Sequence, residues 1–192
     1  MVQPNYEAQL HQLITQNERV MAILRTVRQC NPPDWLVGAG VLRNLVWDHL
    51  HGYQQSTPAR DIDVAFFDAT DLSPERDAEV TAQLTAVLPT VAWEATNQAA
   101  VHLWYAEFFG QTWPPFTSTV EAIATWPETA TCTAVRLLPD DSIEIVAPFG
   151  LEDLFQMVLR RNPARVTVAQ FQQRFQEKQI LQKWPLVRLI DG

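Results

Sequence analysis

From Asp61 to Phe67 the chain reads Asp-Ile-Asp-Val-Ala-Phe-Phe, and its first four residues alternate acid and aliphatic with a period of two. A β-strand turns successive side chains to opposite faces, so Ile62 and Val64 point one way and Asp61 and Asp63 the other. One face of this strand is set for burial, and the other carries two neighbouring carboxylates. A second constraint lies upstream. Trp35 to Val37 reads as a short apolar strand, Gly38-Ala39-Gly40 as a tight turn, and Val41 to His51 as a helix. Val41, Leu42, Leu45, Val46 and Leu50 fall on one side of that helix.

The rest of the chain continues the alternation of element types. Pro4 to about Gln29 has the apolar spacing of one amphipathic helix, with a gap at Asn17. Asn31-Pro32-Pro33-Asp34 stops it, because proline lacks an N–H and disfavours helix in the residue before it. Gly52 to Ala59 is a polar loop. Asp71 to Leu88 is a helix opened by Ser73-Pro74-Glu75. Val91 to Ala95 is a strand, Asn97 to Phe109 a helix, Gly110 to Thr117 a loop and Ser118 to Thr125 a short helix. Thr131 to Leu138 and Ser142 to Ala147 form a hairpin across Pro139-Asp140-Asp141. Leu151 to Arg161 and Val168 to Lys183 are helices. The expected fold class is α/β (α+β), a mixed sheet flanked by helices. The expected organisation is a single domain over residues 1–192, with residues 1–30 and the helical segment 164–192 as covers.

Composition narrows the partners. Of 192 residues, 14 are Lys or Arg and 22 Asp or Glu, for a formal charge of -8. Non-specific nucleic-acid binding wants a basic face, so it is not expected, and neither is electrostatic binding to a membrane surface. No stretch reaches the 18 or so apolar residues of a membrane span, and Met1 to Gln12 has no signal-peptide pattern. The two cysteines, Cys30 and Cys132, read as reduced thiols of a cytoplasmic protein.

Two motifs carry chemistry. In Gly38-Ala39-Gly40 the glycines let backbone approach a ligand, and the helix N-terminus that follows offers free N–H groups to phosphate. The turn is neither a full GxGxxG, since position 43 is Arg, nor a P-loop. In Asp61-Ile62-Asp63 the two carboxylates repel, and a hard divalent cation relieves that repulsion. A solvated edge strand with Arg60 as partner would carry the same letters. His49 and His51 lack a third ligand at zinc-like spacing.

Taken in order, strand, glycine turn, helix and D-x-D strand resemble the polymerase-beta-like nucleotidyltransferase superfamily. The similarity extends to a little-characterised bacterial nucleotidyltransferase-like family over about residues 35–163. It is carried by Gly38-Ala39-Gly40-Val41-Leu42-Arg43-Asn44 with Trp47-Asp48, and by Leu50-His51-Gly52. Asp61-Ile62-Asp63-Val64-Ala65-Phe66-Phe67-Asp68 and Trp93-Glu94-Ala95-Thr96-Asn97-Gln98-Ala99 with His102 continue it. Pro127-Glu128-Thr129-Ala130 and Ala147-Pro148-Phe149-Gly150-Leu151-Glu152-Asp153-Leu154-Phe155 complete it. Ala39-Gly40 departs from the commoner Gly-Ser or Gly-Gly.

The resemblance implies that a nucleoside triphosphate is held by Gly38, Ala39 and Gly40, with Arg43 and Asn44 within reach of phosphate. Arg43 is alternatively a partner of Asp48 or Asp61. Asp61 and Asp63 would hold Mg²⁺ or Mn²⁺ with a third carboxylate, Glu94 in preference to Glu144. That third acid is also a candidate to take the acceptor's proton. Asn97, Gln98 and His102 are candidates for contacting nucleotide or acceptor. The implied reaction moves a nucleoside monophosphate to a hydroxyl of a small molecule, protein or RNA and releases pyrophosphate. Its rivals are a catalytically inactive nucleotide- or partner-binding member, a metal-dependent phosphohydrolase, and a scaffold.

Overall fold

The computed structural model describes residues 4–110, 112–164 and 166–190. Residues 1–3 and 191–192, at the outer ends of the expected covers, lie outside it. So do 111, in the expected 110–117 loop, and 165, in the C-terminal segment.

The N-terminal segment forms two helices, α1 (Tyr6–Thr15) and α2 (Glu18–Cys30), rather than one. The gap at Asn17 is the reason. Its Oδ1 accepts from the Val20 N–H and caps α2, as the Asn5 side chain caps α1 at Ala8. There follow β1 (Leu36–Gly38), α3 (Gly40–Leu50), β2 (Ile62–Phe66), α4 (Pro74–Val87) and β3 (Trp93–Asn97). Pro74 opens α4 as the Ser-Pro-Glu signal requires. A 3₁₀ turn then leads into α5 (Val101–Phe109), so the expected helix over 97–109 starts late. Asn97 ends β3 instead, and its Oδ1 caps the turn at Ala99.

After α6 (Thr119–Ile123), β4 (Ala134–Leu137) and β5 (Ile143–Val146) make the expected hairpin. The expected helix over 151–161 is only α7 (Glu152–Phe155). Met157 takes a left-handed conformation, φ 53°, and β6 (Val158–Arg160) follows. This strand pairs in parallel with β7 (Arg188–Ile190), whose partner lies some thirty residues away and leaves no local signal. Between them, Gln179 at φ 52° splits the expected C-terminal helix into α8 (Val168–Lys178) and α9 (Ile180–Lys183).

The main sheet has the order β3-β2-β1-β4-β5, and β2 and β3 run parallel while the other pairs are antiparallel. Alternation divides its two faces. Val37, Ile62, Val64, Phe66, Trp93, Ala95 and Val135 turn to the large core with Ile23 and Leu24 of α2, Leu42, Val46 and Trp47 of α3 and Leu84 of α4. Gly38, Asp63 and Glu94 belong to the other face. Leu36 and Ala134 pack there in a smaller cluster with Ile123 and Cys132. Among the described residues, no helix is long and apolar enough to cross a membrane. Both cysteines are free, and burial pushes the Cys132 thiol up to about 12, which keeps it an unreactive thiol.

The C-terminal segment is tied to α3 by side chains from both. Asp48 Oδ1 accepts from Trp184 Nε1 at 2.7 Å, and His51 Nε2 accepts from the Leu186 N–H at 3.1 Å. The Tyr53 hydroxyl donates to the Lys183 carbonyl at 2.7 Å. Trp184 is fully buried edge-on to Trp47. These contacts hold α8 and α9 over the end of the sheet where the glycine turn and the D-x-D strand meet.

Candidate active site

The sheet register assembles the site. Asp63 lies beside Glu94 on the parallel neighbour. Val37 lies beside Val64, so the next rung of the antiparallel ladder sets the glycine turn against Asp63. Asp61, Asp63 and Glu94 each offer a carboxylate oxygen within 4.8 Å of the others. Burial, then the charges of Asp61 and Glu94, push Asp63 up to about 6. Burial, with the charge of Asp61 and a hydrogen bond to it, raises Glu94 as well. Three acids in this space repel, and three clustered carboxylates are the donor set that hard divalent cations take.

Glu144 is not brought to this cluster. It sits on β5, three strands from β2 and about 14 Å across the sheet at about 4.8 Å per strand. There Arg136 Nη2 meets it at 2.7 Å, as the cross-strand neighbour of the hairpin.

In the glycine turn, a Cβ on Gly38 would meet the Thr133 carbonyl at 2.6 Å, so the close passage of β4 demands glycine. A Cβ on Gly40 would meet nothing nearer than Arg43 Nη2 at 3.9 Å, so packing makes no such demand there. Ala39 adopts φ 55° and ψ -119°, a conformation that favours glycine, and no side chain caps α3. Its first N–H groups are thus left for a ligand or water. Ala39→Gly is expected to stabilise the protein by about 1 kcal/mol, as strain relief outweighs the added chain entropy. Urea unfolding measures it, and a loss of stability would mean that the methyl group packs favourably.

Arg43 pairs with neither Asp48 nor Asp61. Its Nη2 donates to Asn44 Oδ1 at 2.9 Å, and its guanidinium lies 5.6 Å from the Trp47 ring and 5.3 Å from that of Trp184. Asn44 is occupied in turn, its Nδ2 donating to the Thr57 carbonyl at 3.2 Å. Asp48 instead receives the Thr57 N–H and hydroxyl with Trp184. Asn97 is fully buried. Its Oδ1 accepts from the Asp68 and Ala99 N–H groups, and its Nδ2 donates to the Asp68 and Asp71 carbonyls. Those four bonds hold the loop after β2 and leave nothing for a ligand. His102 lines neither cavity beside the carboxylates, and its Nδ1 is buried without a hydrogen-bond partner among the described residues. Gln98 lines one of them.

Those two cavities meet along Asp63 and Glu94 and, opposite them, along Trp126, Pro127, Arg174 and Glu177. One, of about 510 Å³, runs to Ala39, Gly40 and Arg43 on one side and to Arg174, Lys178 and Lys183 on the other. The second, of about 620 Å³, follows the strands to Ala65, Thr96 and Gln98. The cations of the C-terminal helices are the residues that sequence reasoning missed. Arg174 and Lys178 stand four apart and so share a helix face, but the segment read only as a cover. Glu128, only 3% exposed, organises them. Arg174 Nε meets its Oε1 at 3.3 Å and the Thr131 hydroxyl its Oε2 at 3.0 Å. Burial alone would raise Glu128. Lys178 and Arg174, with the Thr131 hydroxyl and Arg43, outweigh it and hold the carboxyl below the usual range. Burial pushes the Lys178 ammonium down, and Glu128 opposes that shift.

Residues 25–189 match the model of a family described as nucleotidyltransferase. A solved structure described as "The NMR structure of the protein reveals a CCA-adding enzyme head domain" is 27% identical, with TM-score 0.82 and 96% of each chain covered. A CCA-adding enzyme in complex with CTP shares the fold at TM-score 0.53 and 13% identity, and an apo form does so at 0.51 and 15%. The match takes in 95% of this chain but 43% of the CTP-bound enzyme, and 99% against 42% for the apo form. No curated protein sequence matches significantly.

Proposed function

The chain belongs to the nucleotidyltransferase family, and on that premise we propose that it moves a nucleoside monophosphate from a nucleoside triphosphate to a hydroxyl acceptor, releasing pyrophosphate. The observation that carries this reading is the junction of the acid cluster with a cavity walled by a helix N-terminus and by cations. The N–H groups opening α3 donate to the triphosphate, in the open space at Gly40. Arg174, Lys178 and Lys183 face the same cavity and neutralise the β- and γ-phosphates. Arg43 lines it too, from its place against two indole rings, and Asn44 orients it.

The three carboxylates fit Mg²⁺ or Mn²⁺ by donor type and spacing, so Asp61, Asp63 and Glu94 would hold the ions. Bound there, such ions stabilise the negative charge on the attacking and leaving oxygens of an in-line displacement. The acceptor oxygen bonds to the α-phosphorus as the bond to the α–β bridging oxygen breaks. Its electron pair leaves with pyrophosphate, and Glu94, at the junction of the cavities, takes the acceptor's proton.

The test is incubation with each labelled nucleoside triphosphate, Mg²⁺ and a metabolite extract. Wild type is expected to transfer label and release pyrophosphate, and the Asp61→Ala/Asp63→Ala variant to lose at least about 10³-fold in rate. Equal behaviour of the two proteins overturns the reading. Nucleotide-dependent thermal stabilisation with no product would identify a binding protein instead.

A further inference from the structure

We propose that the 620 Å³ cavity holds the acceptor, and that the acceptor is a phosphate-free small molecule with a hydroxylated ring of the sugar type. This assignment rests on the transfer reading above. Its first support is direction. An in-line displacement brings the nucleophile in opposite the leaving pyrophosphate. The cations and the uncapped helix draw the triphosphate to the side of the carboxylates that faces Gly40 and Lys178. The second cavity leaves the same carboxylates along β2 and β3, past Asp63 to Ala65 and past Glu94 to Thr96 and Gln98. A hydroxyl presented from there reaches the reacting phosphorus from the far side. Ala65, with a single methyl group, leaves the floor of this cavity open.

The second support is charge. Apart from Asp63 and Glu94, which would hold the metal, this cavity is lined among the described residues by one acid, Glu177, and one cation, Arg174, both shared with the triphosphate cavity. A strand of RNA carries a phosphate at every nucleotide, and beyond Arg174 the described lining has no cation to meet it. Such a ligand needs a basic track along its backbone. A neutral or amine-bearing ligand has no such need.

The third support is the lining itself. Trp104, Tyr105 and Trp126 offer flat apolar surface, and Gln98, Gln170 and Gln173 offer amides that both donate and accept. Gln98 Nε2 donates to the Thr96 carbonyl at 3.1 Å, which fixes the amide and leaves its Oε1 to receive a hydroxyl. Aromatic faces beside neutral amides suit a ring that is apolar on its faces and hydroxylated at its edge. The volume lies in the usual range of small-molecule sites, about 300–1,000 Å³.

The experiment offers the full chain, with Mg²⁺ and nucleoside triphosphate, a panel of neutral pyranosides, aminopyranosides and nucleosides, and in a separate arm an RNA oligonucleotide with a free 3′ hydroxyl. Mass spectrometry reads the nucleoside-monophosphate adduct, and thermal shift without nucleotide reads binding. An adduct on a panel member is expected, and none on RNA. Trp104→Ala should raise KM for that member about tenfold or more and leave KM for the nucleotide unchanged. An adduct on RNA alone overturns the proposal. So does a Trp104→Ala effect confined to nucleotide affinity, which would give the cavity to the base. Label transferred to another molecule of the extract, with no adduct in the panel, also overturns it and leaves the transfer reading standing. Panel binding that Trp104→Ala abolishes, with no nucleotide turnover, overturns the transfer reading and the acceptor role but keeps the ligand class.

Discussion

Replacing Asp63 with asparagine is expected to abolish transfer and to stabilise the metal-free protein at neutral pH. The two effects share a cause. Burial and the neighbouring Asp61 and Glu94 push the Asp63 carboxyl up to about 6, whereas an unfolded chain titrates near its ordinary value, about 4. Between these values the folded state binds more protons than the unfolded state. The contribution of Asp63 is therefore most favourable below about pH 4, falls as pH rises, and is fully unfavourable above about pH 6. Two pH units correspond to about 3 kcal/mol, and screening at this partly exposed site reduces the effect to about 2 kcal/mol. Asp63→Asn removes that charge, so in EDTA at pH 7 it should raise Tm by roughly 4–8 °C, and at pH 4 by little. Mg²⁺ should raise the Tm of wild type and leave the variant nearly unmoved. Transfer should fall by about 10³-fold. A variant no more stable than wild type at pH 7 would show that the acids do not strain the fold.

Glu128→Ala should produce the largest loss of stability in the site, about 2–3 kcal/mol by urea unfolding, since Arg174 is partly open to water. The side chain is 3% exposed, and it accepts from Arg174 and from the Thr131 hydroxyl while balancing Lys178 and Arg43. Its removal leaves the cations facing one another, while the Thr131 hydroxyl keeps only the main-chain carbonyl of residue 128. The pH dependence has the opposite sign to that of Asp63. A carboxyl held below its usual range stabilises the fold above about pH 4, and that contribution is lost on further acidification. Glu128→Gln keeps the volume and a hydrogen-bond acceptor for Thr131 but frees the cations. ATP should then raise its Tm by more than it raises that of wild type. An equal shift would mean that Arg174 and Lys178 do not engage the triphosphate.

Much of the strand–turn–helix core was legible because its signals are local. The alternation at Asp61–Val64 sets side chains by backbone geometry alone, and Ser73-Pro74 begins a helix wherever it sits. The expected helix over 151–161 failed for the converse reason. Val158–Arg160 has apolar spacing that suits either element, and only the arrival of Arg188–Ile190 as a partner makes it a strand. Asn17 carries capping chemistry inside an otherwise continuous apolar spacing, and Asn97, for which helix capping is the alternative to a ligand contact, caps the 3₁₀ turn.

The same division runs through the candidate site. The amino-acid order alone determined that Asp61 and Asp63 share a strand face and that a glycine turn precedes a helix, because both follow from residues within hydrogen-bonding or pleating distance along the chain. The order of elements already favours Glu94 over Glu144, but which of the two stands beside Asp63 follows from the sheet order, since two strands of like pattern differ only in which neighbour they pair with. The placing of Arg174 and Lys178 needed Asp48, His51 and Tyr53 to hold the C-terminal segment more than a hundred residues away. Charge on a solvated helix and charge around a buried Glu128 have the same sequence, and the fold alone decides which one the protein has.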